Sequence, residues 1–280
     1  MATRRNFLKS SGLILTSSMV PMACKDQAKT NTEALPESKE IPLGIASYSF
    51  RKYSLEESIS MSNRLGIKYL ALKSMHMPLD WNSDQIKEAA GKVRQAGIEL
   101  YGAGVIYMNS EEEVKQAFEY AKHAGMKVII GVPKHELLDL TEEKIKNYDI
   151  KVAIHNHGPG DDLYPSPESV IEKIKNRDPR FGLCMDIGHT QRIGLDPAVE
   201  SQKYMDRLLD VHRKDVTAST AEGETVEIGR GVIDIPAFLS VLIKNNYDGI
   251  VSFEYEKDED DVLPGISESI GYVRGVLDTL

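Results

Sequence analysis

Residues 43–72 read LGIASYSFRKYSLEESISMSNRLGIKYLAL. A short apolar run opens the stretch and another closes it; between them Ser54-Leu-Glu-Glu begins an amphipathic segment that stops at Gly66. The Ser54 side chain can accept from the orphan amides of a first helical turn, and the acids beside it suit the positive end of a helix. A glycine just past the last periodic residue supplies a left-handed cap. The stretch predicts strand, loop, helix and strand, which is one βα unit of a parallel sheet.

The same rhythm recurs along the chain. Further strand-like runs begin near Ile67, Ile98, Met126, Ile150, Phe181, Leu208 and Gly249, at a mean spacing near 29 residues. Helix starts are signalled at Ser83, Ser110, Thr141, Ser166, Asp196 and Asp234, and Gly97 and Gly125 repeat the stop before the next strand. The fourth unit is lean, with only Thr141 to Asp149 left for helix after the PKHELL loop at 133–138. Closed eight-stranded barrels and open doubly wound sheets both use such units. No Gly-x-Gly-x-x-Gly turn follows any strand, and eight units in about 240 residues match the usual barrel size, so an α/β fold of the (β/α)8 TIM-barrel type is expected.

Composition agrees with a packed, globular chain: 280 residues, 41% apolar, 28% charged and 7% aromatic. Acidic residues outnumber basic ones 43 to 34. The first 24 residues carry Arg4, Arg5 and Lys9 and no acid, so the remainder stands at a formal −12. A surface of that sign repels phosphate backbones and no basic run interrupts it, which excludes nucleic acid as the expected partner. Cys24 and Cys184 make no disulfide framework. Residues 1–24 resemble a twin-arginine export signal: paired arginines, a short apolar run from Gly12 to Val20, then Pro21-Met-Ala-Cys24. Ala23-Cys24 also resembles the end of a lipobox, with Cys24 as the lipidated residue. The expected organisation is a signal at 1–24, a polar tether at 25–40 and a single barrel domain at 41–280, exported to the periplasm or anchored there by lipid. The oligomeric state is left open.

In a barrel the chemistry sits where strands end. Strand five ends His155-Asn-His157, strand six Asp186-Ile-Gly-His189, strand seven His212-Arg-Lys214-Asp215 and strand eight Phe253-Glu254-Tyr-Glu256. Residues two apart share a face, so His155 goes with His157, His212 with Lys214, and Glu254 with Glu256. A lone histidine at a strand end is more often a packing residue than a ligand. Four ligand-type side chains on consecutive strand ends, two of them carboxylates in a barrel interior, call for a partner. His155, Asp186, His212 and Glu254 are the expected ligands of one divalent ion, Mn²⁺, Co²⁺, Zn²⁺ or Mg²⁺.

These motifs, with Ser47-Tyr48-Ser-Phe, the stretch Gly229-Arg-Gly-Val-Ile-Asp-Ile-Pro236 and Tyr247-Asp-Gly, resemble the sugar phosphate isomerase/epimerase family with its xylose-isomerase-like barrel, over residues 42–280. The resemblance implies a metal held by Glu, Asp, His and Glu on strands five to eight. Asp186, His212 and Glu254 match; the first glutamate falls on His155. A His-Asn-His ending is similar to the branch that contains inosose dehydratase. The family chemistry is proton abstraction next to a sugar carbonyl through an enediolate, on a small carbohydrate. Isomerisation or epimerisation is the first expectation and elimination of water or an aglycone from a keto-sugar or keto-glycoside the second. A non-catalytic exported sugar-binding protein is the third reading. Glu254 or His157 is the expected base, with Lys73 and Lys214 as oxyanion or acid groups. His189, Glu256, Tyr48, Trp81 and Asn156 are expected to line the pocket or orient the ligands.

Overall fold

A computed structural model describes residues 41–280; the expected signal, the tether and Cys24 lie outside the described residues. The eight predicted runs pair in parallel: β1 (Leu43–Ala46), β2 (Tyr69–Leu72), β3 (Glu99–Met108), β4 (Val128–Pro133), β5 (Lys151–His155), β6 (Phe181–Asp186), β7 (Leu208–Arg213) and β8 (Ile250–Phe253). They close a barrel in the order β1-β8-β7-β6-β5-β4-β3-β2. The seam sets Leu43 opposite Val251 and Ile45 opposite Phe253. Gly44 belongs there because a Cβ on it would lie 2.6 Å from Ile250 and 2.7 Å from the Ser252 hydroxyl.

Helices α1 (Leu55–Arg64), α2 (Ser83–Gln95), α3 (Glu111–Ala124), α4 (Leu138–Tyr148), α5 (Pro167–Ile174), α6 (Ile187–Arg192), α7 (Pro197–Lys203), α8 (Ile235–Lys244) and α9 (Leu263–Leu277) separate the strands. Ser54 makes a full capping box with Glu57. Ser110, Ser166, Asp196 and Asp234 cap as expected. Two starts differ. Asn82, not Ser83, caps α2, because its carbonyl oxygen takes the amides of Asp84 and Gln85 while Gln85 reaches back. Thr141 lies inside α4, where its hydroxyl donates to Leu137 O at 2.8 Å. The 3-10 turn His135–Leu137 runs straight into that helix, so the lean fourth unit has more helix than the sequence signalled. Gly66, Gly97 and Gly125 have φ of 68°, 75° and 68°. No helix among the described residues is long and apolar enough to cross a membrane.

Most of the core lies between barrel and helices. Inside the barrel sits a second, small cluster of Ala71, Tyr101, Ile130, Ala153 and Cys184. Three of these are small, which leaves room for the one Tyr101 ring; its hydroxyl meets Ser252 Oγ at 2.7 Å. This plug closes the barrel below the strand ends.

Candidate metal centre and pocket

Register brings the expected ligands together. β5 pairs with β6 so that His155 stands opposite Cys184, two positions before Asp186. β6 pairs with β7 to set Asp186 opposite His212, and β7 with β8 to set His212 opposite Ser252, two positions before Glu254. Period-two alternation then turns all four side chains to one interior. His155, Asp186, His212 and Glu254 are all buried, and one ligand atom of each lies within 4.8 Å of the others.

The environment of these atoms fits a cation. Neither ring nitrogen of His155 nor Nε2 of His212 has a hydrogen-bond partner among the described residues, while His212 Nδ1 lies 3.2 Å from Glu254 Oε2 and Asp186 Oδ2 lies 2.9 Å from the Lys214 ammonium. Buried polar atoms are rarely left so. Two imidazoles and two carboxylates at this separation suit a divalent ion with bonds of about 2.0–2.2 Å. Burial pushes the His155 imidazole down to about 3, which keeps it neutral and able to donate a lone pair. Burial also works against charge on His212, but Glu254 Oε2 at 3.2 Å outweighs it and its pKa lies above the ordinary value. Burial opposes ionisation of Glu254 as well; Lys214 and His212 overcome it and hold the carboxyl well below the usual range.

The residues around this set fall in four groups. Lys214 is 2% exposed along its side chain, hydrogen-bonds Glu256 Oε1 at 2.8 Å, and lies 2.9 Å from Asp186 Oδ2 and 3.0 Å from Glu254 Oε2. Gly188 makes room for it, since a Cβ there would stand 2.3 Å from the Lys214 stem. Asn156 faces away from the ligand atoms: its carbonyl oxygen accepts the Asp186 amide at 3.0 Å and its amide nitrogen donates to Thr190 at 3.3 Å. Asp186 in turn caps α6 by accepting from His189 N, which fixes its carboxylate. His157 and His189 flank His155, with ring centroids 4.5 and 6.1 Å away. Lys73 is partly buried 5.3 Å from the centre of the Tyr48 ring. Burial draws its pKa down, against the pull of Glu254 and Glu256.

Trp81 is placed elsewhere. It lines a surface cleft with Leu79, Ile86, Gln116, Tyr120 and His123, none of which belongs to the ligand cluster. The physical reason is the anchor of its loop: Met77 is buried in the core, and Tyr120 on α3 donates to its carbonyl at 2.8 Å, which draws the segment toward α2 and α3. His76 is structural too, held by Ser47, Ser58 and the carbonyls of Phe50 and Tyr53.

Two pocket residues escape the strand-end rule. β3 runs ten residues, well past its neighbours, and carries Tyr107, 48% exposed, to a hydrogen bond with His157 Nε2 at 3.1 Å. The tyrosines at 101 and 107 and the continuing apolar pattern were the available signal. Cys184 lies below the centre, its sulfur within 4.8 Å of ring nitrogens of His155 and His212.

The profile of the xylose isomerase-like TIM barrel family matches residues 54–276. The chain belongs to that family. A rhizopine catabolism protein of Rhizobium meliloti is 26% identical over 152 residues, 49% of this chain and 46% of that protein. An inosose dehydratase of Clostridium tetani is 29% identical over 130 residues, 40% of this chain and 43% of that enzyme. The matched stretch thus covers less than half of either relative. An uncharacterised protein of Parabacteroides distasonis has the same fold, with a TM-score of 0.67 and 28% identity over 84% of this chain and 98% of that one. Membership accounts for the closed barrel.

Proposed function

We propose that this barrel is a sugar-modifying enzyme that takes the proton next to a carbonyl and expels an oxygen substituent from the following carbon, lyase chemistry on a keto-sugar, keto-cyclitol or keto-glycoside. The observation that carries this reading is the one-sided acid–base set. β5 offers His155 where a second glutamate would stand, so Glu254 is the only glutamate in the ligand cluster. Epimerisation asks for matched proton carriers on both faces of a carbon; elimination asks for one base and one acid. The inosose dehydratase among the relatives supports the same reading.

The residues have distinct tasks. Glu254, held ionised by Lys214 and His212, is the base at the pocket floor. It accepts the proton beside the carbonyl, and the electron pair of the broken C–H bond passes to an enolate. That pair then expels the oxygen of the next carbon, which leaves as water or an alcohol once protonated. Lys73, its ammonium made more acidic by burial, is the donor of that proton. His157, with Tyr107 on one ring nitrogen, orients the sugar hydroxyls. A divalent ion held by His155, Asp186, His212 and Glu254 supplies Lewis-acid polarisation of the carbonyl when bound. No step changes oxidation state overall.

The test is incubation of metal-loaded protein in deuterated water with keto-sugars, keto-cyclitols and 3-keto-glycosides, followed by NMR. Deuterium uptake beside the carbonyl with loss of water or aglycone is expected. Glu254→Gln should abolish uptake. Lys73→Met should keep uptake while elimination falls by about 10²-fold or more. Uptake with the carbon and oxygen count retained would instead identify an isomerase or epimerase. Bound metal with no uptake across the panel would favour the sugar-binding reading.

A further inference from the structure

Trp81 is the one tryptophan of the chain, and it is half-buried at the edge of a cleft that opens between α2 and α3. One wall of that cleft is a single face of α3. Gln116, Glu119, Tyr120 and His123 recur at i, i+3, i+4 and i+7, the spacing that sets side chains in one stripe. A stripe turned toward a neighbouring helix is ordinarily apolar. Here three of the four residues are polar, and they edge an opening of about 230 Å³ instead of a closed helix contact.

Two hydrogen bonds hold the opening in shape. The Tyr120 hydroxyl donates to Met77 O at 2.8 Å and Gln116 Nε2 donates to Leu79 O at 3.0 Å, so the loop that carries Trp81 is tied to α3 twice. A cleft formed in advance loses little binding energy to ordering.

Charge, polarity and size narrow the occupant. Asp80 and Glu119 repel anions. Glu119 is already engaged, since it accepts the Tyr148 hydroxyl and lies 3.5 Å from His123 and 3.8 Å from Lys122. Asp80 is exposed, where water and salt weaken its hold on a cation. What is left is a mixed set of hydrogen-bonding groups beside an indole: the Asp80 carboxylate, the Gln116 carbonyl and the His123 imidazole. Sugar hydroxyls both donate and accept, as such a set requires, and the C–H face of a sugar ring suits an aromatic wall. The volume is below the roughly 300–1,000 Å³ of pockets for drug-sized ligands, which leaves room for one ring.

We infer that this cleft is a second carbohydrate site, which takes one neutral pyranose ring against Trp81 with its hydroxyls on Asp80, Gln116 and His123. It binds without chemistry. None of its lining residues belongs to the ligand cluster, so the inference stands whether or not the barrel is a lyase.

The emission of Trp81, free of any other tryptophan, reports on the cleft directly. Titration of the full chain with methyl β-D-glucopyranoside, methyl α-D-mannopyranoside and methyl β-D-galactopyranoside should give a saturable change with at least one of them, at millimolar concentrations. Asp80→Ala, a change at an exposed position, should keep the unliganded spectrum and weaken that binding by about tenfold. No saturable change with any of the three glycosides would overturn the inference. Equal affinity in the wild type and Asp80→Ala would overturn it too, because the sugar would then be acting from the barrel mouth. A saturable response to choline with none to the glycosides would replace it with a cation site.

Discussion

Asp215 shows how much one buried carboxylate can organise. It accepts the amides of Val216, Gly229, Gly231 and Ile233 at 2.9–3.2 Å, and so shapes the loop that follows β7. Gly231 must lack a side chain, because a Cβ there would stand 2.1 Å from Asp215 Oδ1 and 2.4 Å from Val216 O. Gly231→Ala should therefore cost about 1–3 kcal/mol in chemical denaturation, while Gly271→Ala, where nothing lies within 4 Å, should cost nothing measurable. For the ligand cluster, Asp186→Ala or His212→Ala should weaken binding of Mn²⁺ or Co²⁺ by about tenfold or more in calorimetric titration. Unchanged affinity in both variants would remove the assignment. The four clustered side chains, His155, Asp186, His212 and Glu254, were legible as a group because each is a polar type at a strand end. Arg213 was legible only in part: alternation turns it away from the mouth, but nothing local says that a charged residue stays 1% exposed in an apolar layer. Trp81 misled for the opposite reason: its position depends on Met77 and Tyr120, a contact 43 residues away in sequence.

At the level of elements, local chemistry decided most helix starts. Ser54 with Glu57 is a complete capping box, and Ser54→Ala should lower stability by about 1 kcal/mol, read as a Tm loss of roughly 2–4 °C. Where two capping residues are adjacent, as at Asn82-Ser83, the pattern alone does not choose; Gln85, three residues after Asn82, does. The loops after β7 and β8 are joined by a pH-sensitive tie. Glu227 is buried, which by itself would raise its pKa, but the Lys257 ammonium at 2.8 Å, its own amide and the Tyr255 hydroxyl draw it down to about 2. A carboxyl whose folded pKa lies below the ordinary 4.5 stabilises the fold above that value. Its contribution is lost as pH falls from about 4.5 toward about 2. Melting curves across that window should show a decline that is shallower in Glu227→Gln. An equal slope in both would show that other carboxylates carry the acid sensitivity.

For the whole molecule, the repeat of βα units announced the barrel, and register did the rest by aligning His155, Asp186, His212 and Glu254 on neighbouring strands. How far a strand overshoots its neighbours, as β3 does, depends on what covers it, and its own residues signalled this only through an apolar pattern that runs on to Tyr107. Closure rests on the seam of β1 and β8, and Gly44→Val should open it, since the added atoms meet Ile250 and Ser252. Loss of the cooperative thermal transition is the expected readout. That seam also sets a timetable. Leu43 is made among the first residues of the fold and Val251 among the last, so the early strand must wait through more than 200 residues of synthesis for its neighbour. Until β8 emerges, β1 offers an unpaired edge, the feature that invites wrong partners. Chains halted before Gly249 should be digested by protease throughout β1 and β2, whereas finished chains should resist.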